Sequence, residues 1–311
     1  MNYPRISVIA PMYGVEPYIV NFAQSLLSQS YPFIEFIFVN DGTKDRSVEL
    51  LEELIDSDFP HLKGRIKIVH KANGGLPAAR RTGLDHATGE YIYHADSDDW
   101  IARDAIEKIA QKIMQTDADI VYFNFFKEYP GKTKPKRERE YGTNQQTEYV
   151  RNMYNHRSYA CVWNKCVRHR LYAEHTIYTP KYGYAEDCYL MSQLVGYSTS
   201  IAHLDEYLYH YRKGNPNALT GQQRKKRKRE YALNFLDLYE KYKDVPAEQN
   251  PVAILFDDII LQAGWYSIFY GLDLFKEYKW LSGAVRKAKM RRGTDVWLPL
   301  QLITKLYALF K

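Results

Sequence analysis

The stretch Glu90–Trp100, EYIYHADSDDW, decides the reading of the fold. A short apolar and aromatic strand runs straight into four polar residues, three of them carboxylates. Residues two apart in a strand point the same way, so Asp96 and Asp98 aim at one point, and Asp99 follows at once. Acids this close repel one another, and holding them together is unfavourable without a cation. A divalent metal that carries a phosphate ligand is one reason to set carboxylates at the end of a buried strand. A solvated turn, with N-cap aspartates ahead of the helix at Arg103, is the other reading, and the stretch alone leaves both open.

Working outward, the same alternation repeats. Strands are expected at Ile6–Ala10, Ile34–Val39, Arg65–Val69, Glu90–Ala95 and Asp119–Phe126. Helices are expected at Tyr18–Ser30, at Asp45–Ile55 with Asp45 as N-cap, at Leu76–His86 and at Ala105–Met114. Continuous apolar strands alternating with helices imply a parallel sheet covered on both faces. Ligands of such sheets bind outside the carboxyl ends of the strands. Four polar loops fall there: Pro11–Glu16, Asn40–Asp41–Gly42, Lys71–Gly75 and Asp96–Asp99. Their convergence on one rim favours a ligand site over four unrelated turns.

Downstream, the charged Glu128–Glu140 reads as a mobile connection. Helices are expected near 146–155 and at Tyr189–Val195, and short strands near 201–203 and 206–211. From Gln222 the pattern is helical: Arg224–Tyr242, Pro251–Tyr270, a segment near 273–290 and Leu298–Phe310. The 311 residues carry a net charge of +6, and 45% are hydrophobic, ample for a core. The 28 tyrosines suit carbohydrate stacking or plain packing. Three cysteines without a CxxC pair argue against a disulfide scaffold or zinc site and for a reducing cytosol. No signal-peptide pattern and no run of about 18 apolar residues is present, so neither export nor a membrane span is expected.

Taken in order, ISVIAPMYG, VNDGTKD, NGGLPAARRTGLDHATGEYI and HADSDDW resemble the donor half of family 2 glycosyltransferases with the GT-A fold. The likeness runs through residues 5–125 and resumes at Trp163–Lys165 (WNK), at Ala185–Leu190 (AEDCYL) and at Glu206–Thr220. Each motif alone is weak; their order is specific. The resemblance implies an α/β fold: a Rossmann-like, mostly parallel sheet flanked by helices, with a mainly helical C-terminal extension. It divides the chain into a nucleotide-sugar half (1–127), an acceptor and catalytic-base half (128–220) and a basic helical extension (221–311).

The resemblance further implies a nucleotide-diphosphate sugar donor, Mn²⁺ or Mg²⁺, and inversion at the anomeric carbon. Asp41 would accept the imide N–H of a uracil base. Other nucleotide contacts would come from Pro11, Tyr13, Glu16, Asn73, Gly74, Ala79 and Arg80. Asp98 would ligate the metal, while Asp96 would face the ribose or the metal's water shell. Only one or two protein carboxylates are needed, because Mg²⁺ keeps several waters and takes substrate oxygens. Asp187 is the expected base for the acceptor hydroxyl, with Glu186 contacting acceptor or helix backbone; helix N-terminal carboxylates favoured by the dipole are the competing reading. Trp163, Lys165 and Arg212 are candidate acceptor or diphosphate contacts, and Lys165 is a candidate partner for Glu186. Lys213–Thr220 would be a segment that covers the donor. His94 and His210 read as structural.

Arg224–Arg229 is six consecutive cations, and residues 276–311 hold nine Lys/Arg against two acids. With the amphipathic Leu298–Phe310, these form a two-part signal for an anionic membrane surface. A saccharide or lipid-linked saccharide acceptor, and a cytoplasmic place on the inner face of the membrane, follow from that reading. Two rivals are a basic nucleic-acid-binding protein and a sugar nucleotidyltransferase. The first lacks a recognition module and is not expected to bind nucleic acid. The second would show a basic Gly-rich loop after the first strand, where PMYGVEP has neither Lys nor Arg.

Overall fold

The structure is a computed structural model that describes residues 3–215 and 224–292. Its frame is one nine-stranded mixed sheet. The first half is β1 (Ile6–Met12), α1 (Ile19–Leu27), β2 (Ile34–Asn40), α2 (Ser47–Asp58), β3 (Ile66–His70), α3 (Leu76–Asp85), β4 (Tyr91–His94), β5 (Trp100–Ile101) and α4 (Ala105–Thr116). The second half is β6 (Ile120–Tyr129), β7 (Lys132–Lys136), α5 (Gln146–Tyr154), β8 (Lys165–Arg168), α6 (Arg170–Ala173), α7 (Glu186–Tyr197) and β9 (Ile201–Arg212). A helical part follows: α8 (Arg224–Tyr242), α9 (Phe256–Phe269), α10 (Leu274–Glu277) and α11 (Leu281–Arg292).

The strand order is β3-β2-β1-β4-β8-β6-β9-β5, with β7 on β6. The first four strands pair in parallel, as the alternation implies. The fifth expected strand does not sit beside β4. Strand β8 enters between them, antiparallel to both β4 and β6. Strand β5 pairs with the end of β9, Trp100 opposite His210. The five residues between β4 and β5, Ala95–Asp99, therefore span from the middle of the sheet to its far edge.

Side-chain alternation splits the core. Val8, Ala10, Phe36, Phe38, Tyr91 and Tyr93 face α1 and α4. Ile9, Ile37, Val39 and Ile92 face α3. On α4, Ile106, Ile109, Ala110 and Ile113 keep the i, i+3, i+4, i+7 spacing, and all are buried; each such Ile contributes about 1.5–3 kcal/mol. Helix α3 lies close because Gly83 has no side chain: a Cβ there would sit 2.3 Å from Ile9. A third cluster joins α5, α7, α8 and α9 to Ile120, Tyr122 and Val167.

Four expectations need correction. The N-cap of α2 is Arg46, although Asp45 still accepts from the Ser47 amide at 3.2 Å. Glu128–Glu140 is not a loose connection: β7 pairs antiparallel with β6, because polar, exposed edge strands carry no apolar periodicity to read. The two short strands near 201–211 are one strand, β9, with register shifts where it pairs with Phe123–Phe125 of β6. The segment Pro251–Tyr270 opens with a short 3-10 turn and is α-helical only from Phe256. The expected helix Leu298–Phe310 and most of Lys213–Thr220 lie outside the described residues. Among the described residues no helix is long and apolar enough to cross a membrane.

Candidate active site

The four loops do share one rim, knitted by hydrogen bonds at the strand ends. Ser97 Oγ donates to the Pro11 carbonyl at 2.6 Å, the Asp41 amide to Met12, and the Lys71 amide to Asn40. Asp41, 3% exposed, closes the Gly-rich loop. Its Oδ1 accepts from Lys71 Nζ (2.5 Å) and the Gly74 amide (2.9 Å), and its Oδ2 from the Gly75 amide (2.8 Å). A carboxylate oxygen has two acceptor sites, so Oδ2 keeps one for a further donor. Gly75, at φ +83, turns the chain into α3, and Pro77 starts the helix. Glu16 accepts from the Arg46 amide at 3.0 Å, Tyr13 is 57% exposed on the rim, and Asn73 is exposed.

The centre of the site is Arg80, 4% exposed. Its Nη1 donates to Glu186 Oε2 at 2.6 Å and Asp187 Oδ1 at 2.7 Å, and its Nη2 to Asp96 Oδ1 at 2.8 Å. One cation thus holds the acid that follows β4 and the acid pair that opens α7. Ala185 delivers that pair: it adopts left-handed φ +64 immediately before the helix, a conformation unfavourable for a non-glycine residue. The helix N-terminus adds favourable partial charge to both acids.

Three carboxylates on one cation leave negative charge uncompensated. Burial lifts the Asp96 carboxyl to about 6, with Arg80 opposing and Asp187 and Asp98 adding to the rise. Glu186 stands well above the ordinary carboxylate range, from burial and then Asp187, against the pull of Arg80. Asp98 is half-buried; its Oδ2 accepts from Asn215 Nδ2 at 2.8 Å. Among the described residues, one oxygen each of Asp96 and Asp98 has no hydrogen-bond donor. Two half-free hard oxygen ligands amid excess negative charge fit a cation that keeps waters and shares phosphate oxygens. No ready-made cluster of three or more ligating side chains occurs among the described residues.

Asp99 has a different place. It is 1% exposed and accepts from Tyr209 Oη (2.8 Å) and the Arg212 amide (2.7 Å), fastening β9 to the acidic loop. Arg212 Nε donates to the Asp98 carbonyl at 2.7 Å, with its guanidinium over Tyr18 and Trp100. The Tyr209 ring stacks on Trp163 while its hydroxyl reaches the loop, and His210, on the other face of the strand, stacks on Trp100. His210 Nδ1 lies 2.8 Å from Glu128 Oε1.

Two candidates lie away from this cluster. Trp163 is 3% exposed between Tyr209 and Phe125, so its ring faces packing partners and not the cleft. Lys165 is fully buried and donates to the Tyr159 and Cys161 carbonyls and Asn164 Oδ1 at 2.8–2.9 Å. Its carboxylate partner is Glu138 at 4.0 Å, not Glu186. His94 is buried behind Arg80, kept neutral because burial, then Arg80, lowers its pKa to about 3. Sequence reasoning passed over Tyr209 and Asn215 as contacts of the acidic loop. The two-residue period of YHYR carried a signal for the first.

Comparison with known proteins places this geometry. The family model for glycosyl transferase family 2 matches residues 7–176. An uncharacterized glycosyltransferase of Bacillus subtilis, EpsJ, is 35% identical over 70% of this chain and 63% of its own length. Glycosyltransferase GlyA of Streptococcus pneumoniae is 34% identical over 67% of this chain, which spans 30% of that protein. Among solved structures, residues 1–349 of TarS from S. aureus, in complex with UDP-GlcNAc, superpose with a TM-score of 0.64 at 20% identity, over 91% of this chain and 88% of that one. A mannosyltransferase of Pyrobaculum calidifontis, with GDP-Man and Mn²⁺, gives 0.55 at 15% identity over 99% and 81%. These two likenesses speak to the fold.

Proposed function

The chain belongs to glycosyltransferase family 2, and we propose that it moves a sugar from a nucleotide-diphosphate sugar, a UDP-sugar, to a saccharide or lipid-linked saccharide acceptor with inversion. Polysaccharide or glycolipid assembly is the setting, in keeping with a relative named for teichuronic acid biosynthesis. The observation that carries the reading is the Arg80 cluster, which joins Asp96 of the donor rim to Glu186 and Asp187. The chain divides functionally as 1–127, 128–220 and 221–311.

Asp187 takes the proton of the acceptor hydroxyl as it attacks the anomeric carbon from the face opposite the leaving group. A carboxylate suffices, because the hydroxyl becomes acidic as the bond forms. Glu186, held beside it by Arg80, fixes the orientation of the pair. Asp98, with Asp96, would hold a divalent cation, and the chemistry such an ion would supply there is Lewis-acid stabilisation of the departing diphosphate. Asp41 uses its remaining acceptor site for the nucleobase N–H, and Arg212 borders the diphosphate. A screen of UDP-, GDP- and dTDP-sugars for transfer identifies the donor. With that donor, Asp187→Asn lowers kcat by about 10²–10⁴ and leaves UDP affinity unchanged. Unchanged kcat in Asp187→Asn contradicts the assignment.

An anionic membrane surface is part of the same reading. Arg224, Lys225 and Lys226 are exposed at the start of α8, and Arg224 meets Tyr270 near the 52%-exposed Phe269. Cosedimentation with anionic but not neutral vesicles is the expected result. Equal sedimentation with both removes the membrane from the reading.

A further inference from the structure

Beyond Asp187 the molecule opens into a cleft of about 530 Å³, continuous with solvent. Asp187 lines it together with Tyr159, Tyr184 and Tyr231, and Arg137, His156 and Arg157 share the lining. Aromatic faces on a polar cleft suit sugar rings.

The cations are not equally engaged. Arg137 is taken by Asp205 through two hydrogen bonds of 2.7 and 3.1 Å. Arg157 is exposed and, among the described residues, has no carboxylate within 4.0 Å. Lys228, on α8, donates to the Tyr266 hydroxyl at 2.9 Å and, among the described residues, has no carboxylate within 4.0 Å. Its charge is felt at His156, which burial and then Lys228 push below the usual histidine range. Lys228 itself is pushed down by burial, then by Arg224 and Arg227. Arg157 is therefore the cleft arginine left without a carboxylate, while Glu230, which accepts from the Tyr184 amide at 3.1 Å, is engaged by Lys226 at 3.8 Å. The backbone is strained on both walls: His156 at φ +58 and Ala185 at φ +64 are left-handed residues without being glycine.

We propose that the acceptor is an anionic saccharide, seated with a hydroxyl at Asp187 and a carboxylate or phosphate group toward Arg157 and Lys228. The inference rests on the transferase reading above, since it takes Asp187 as the reacting end. The polarity of the cleft sets the direction of the chain. A neutral sugar gains only stacking, while an anion also gains charge-assisted hydrogen bonds.

The test is calorimetric binding to the full-length protein of three probes: hexagalacturonate, a glycerol phosphate hexamer and neutral maltohexaose. At least one anionic probe is expected to bind about tenfold or more tightly than maltohexaose, and the preferred one tells carboxylate from phosphate. Arg157→Glu removes that preference. Lys63→Glu, on the turn before β3 and away from the cleft, leaves it within about twofold. Equal binding of neutral and anionic probes, or no binding of either, overturns the proposal. So does an equal loss in Lys63→Glu, which would make the preference one of overall charge and not of the cleft. UDP binding with Mn²⁺ is measured on each protein. If wild type binds the anionic probe but no nucleotide, the donor reading has failed by itself; if Arg157→Glu keeps UDP and loses the probe, both stand.

Discussion

Among the described residues two cations, Lys165 and Arg80, are buried, and they sit in opposite kinds of surroundings. Lys165 is fully buried with one carboxylate, Glu138, and three neutral oxygen acceptors, and Asn164 bridges the pair by donating to Glu138 at 2.8 Å. Charge and hydrogen bonds are both balanced there. Arg80 faces three carboxylates, two of which retain about a quarter of their side-chain exposure. Charge is left over there, and it reaches the surface. A balanced, closed ion pair fixes structure; an unbalanced, open one is ready for a ligand of opposite sign.

Removing each cation is the strongest way to break the comparison. Lys165→Met and Arg80→Ala should each destabilise the fold by about 3–5 kcal/mol, because each strands buried carboxylate. The two differ in rescue. In thermal denaturation, Mn²⁺ should recover part of the loss in Arg80→Ala, where acids remain accessible, and none in Lys165→Met. Equal rescue of both variants, or of neither, would erase the distinction.

A smaller effect sharpens it. The folded-state pKa of Asp96, about 6, lies above its ordinary value of 3.8. Its protonated form therefore favours the fold: that contribution is present below 3.8 and is lost as pH rises through about 6. Thermal midpoints of the metal-free protein should fall across this window, and Asp96→Asn should flatten the fall. Burial also raises Glu138, against the pull of Lys165. That part should persist when Mn²⁺ is added, while the Asp96 part should shrink. A slope unaltered in Asp96→Asn would place the titration elsewhere.

The first half was legible because its signals are local and periodic. Buried parallel strands read as apolar runs, and their ends fall at the loops that meet on the rim. Asp96, Arg80, Glu186 and Asp187 were each picked out, but not that one arginine joins them: that contact spans 106 residues between Arg80 and Glu186. The second half was harder. Strand β8 enters the sheet as only four residues, KCVR, too short for a pattern to register. The motif WNK marked a functional-looking place, yet its Trp and Lys point into the core, since a tryptophan and a lysine stem are apolar enough to be buried when their polar ends find partners. Which way such residues face depends on sheet order, and sheet order was the part the local pattern could not supply.

The most direct test of the account is calorimetric titration of UDP, with and without Mn²⁺, into wild type and Asp98→Ala. The excess negative charge around Asp96 and Asp98 predicts that UDP binds wild type about tenfold or more tightly with Mn²⁺, and that Asp98→Ala abolishes the difference. UDP binding of equal strength with and without the metal, in both proteins, would contradict it.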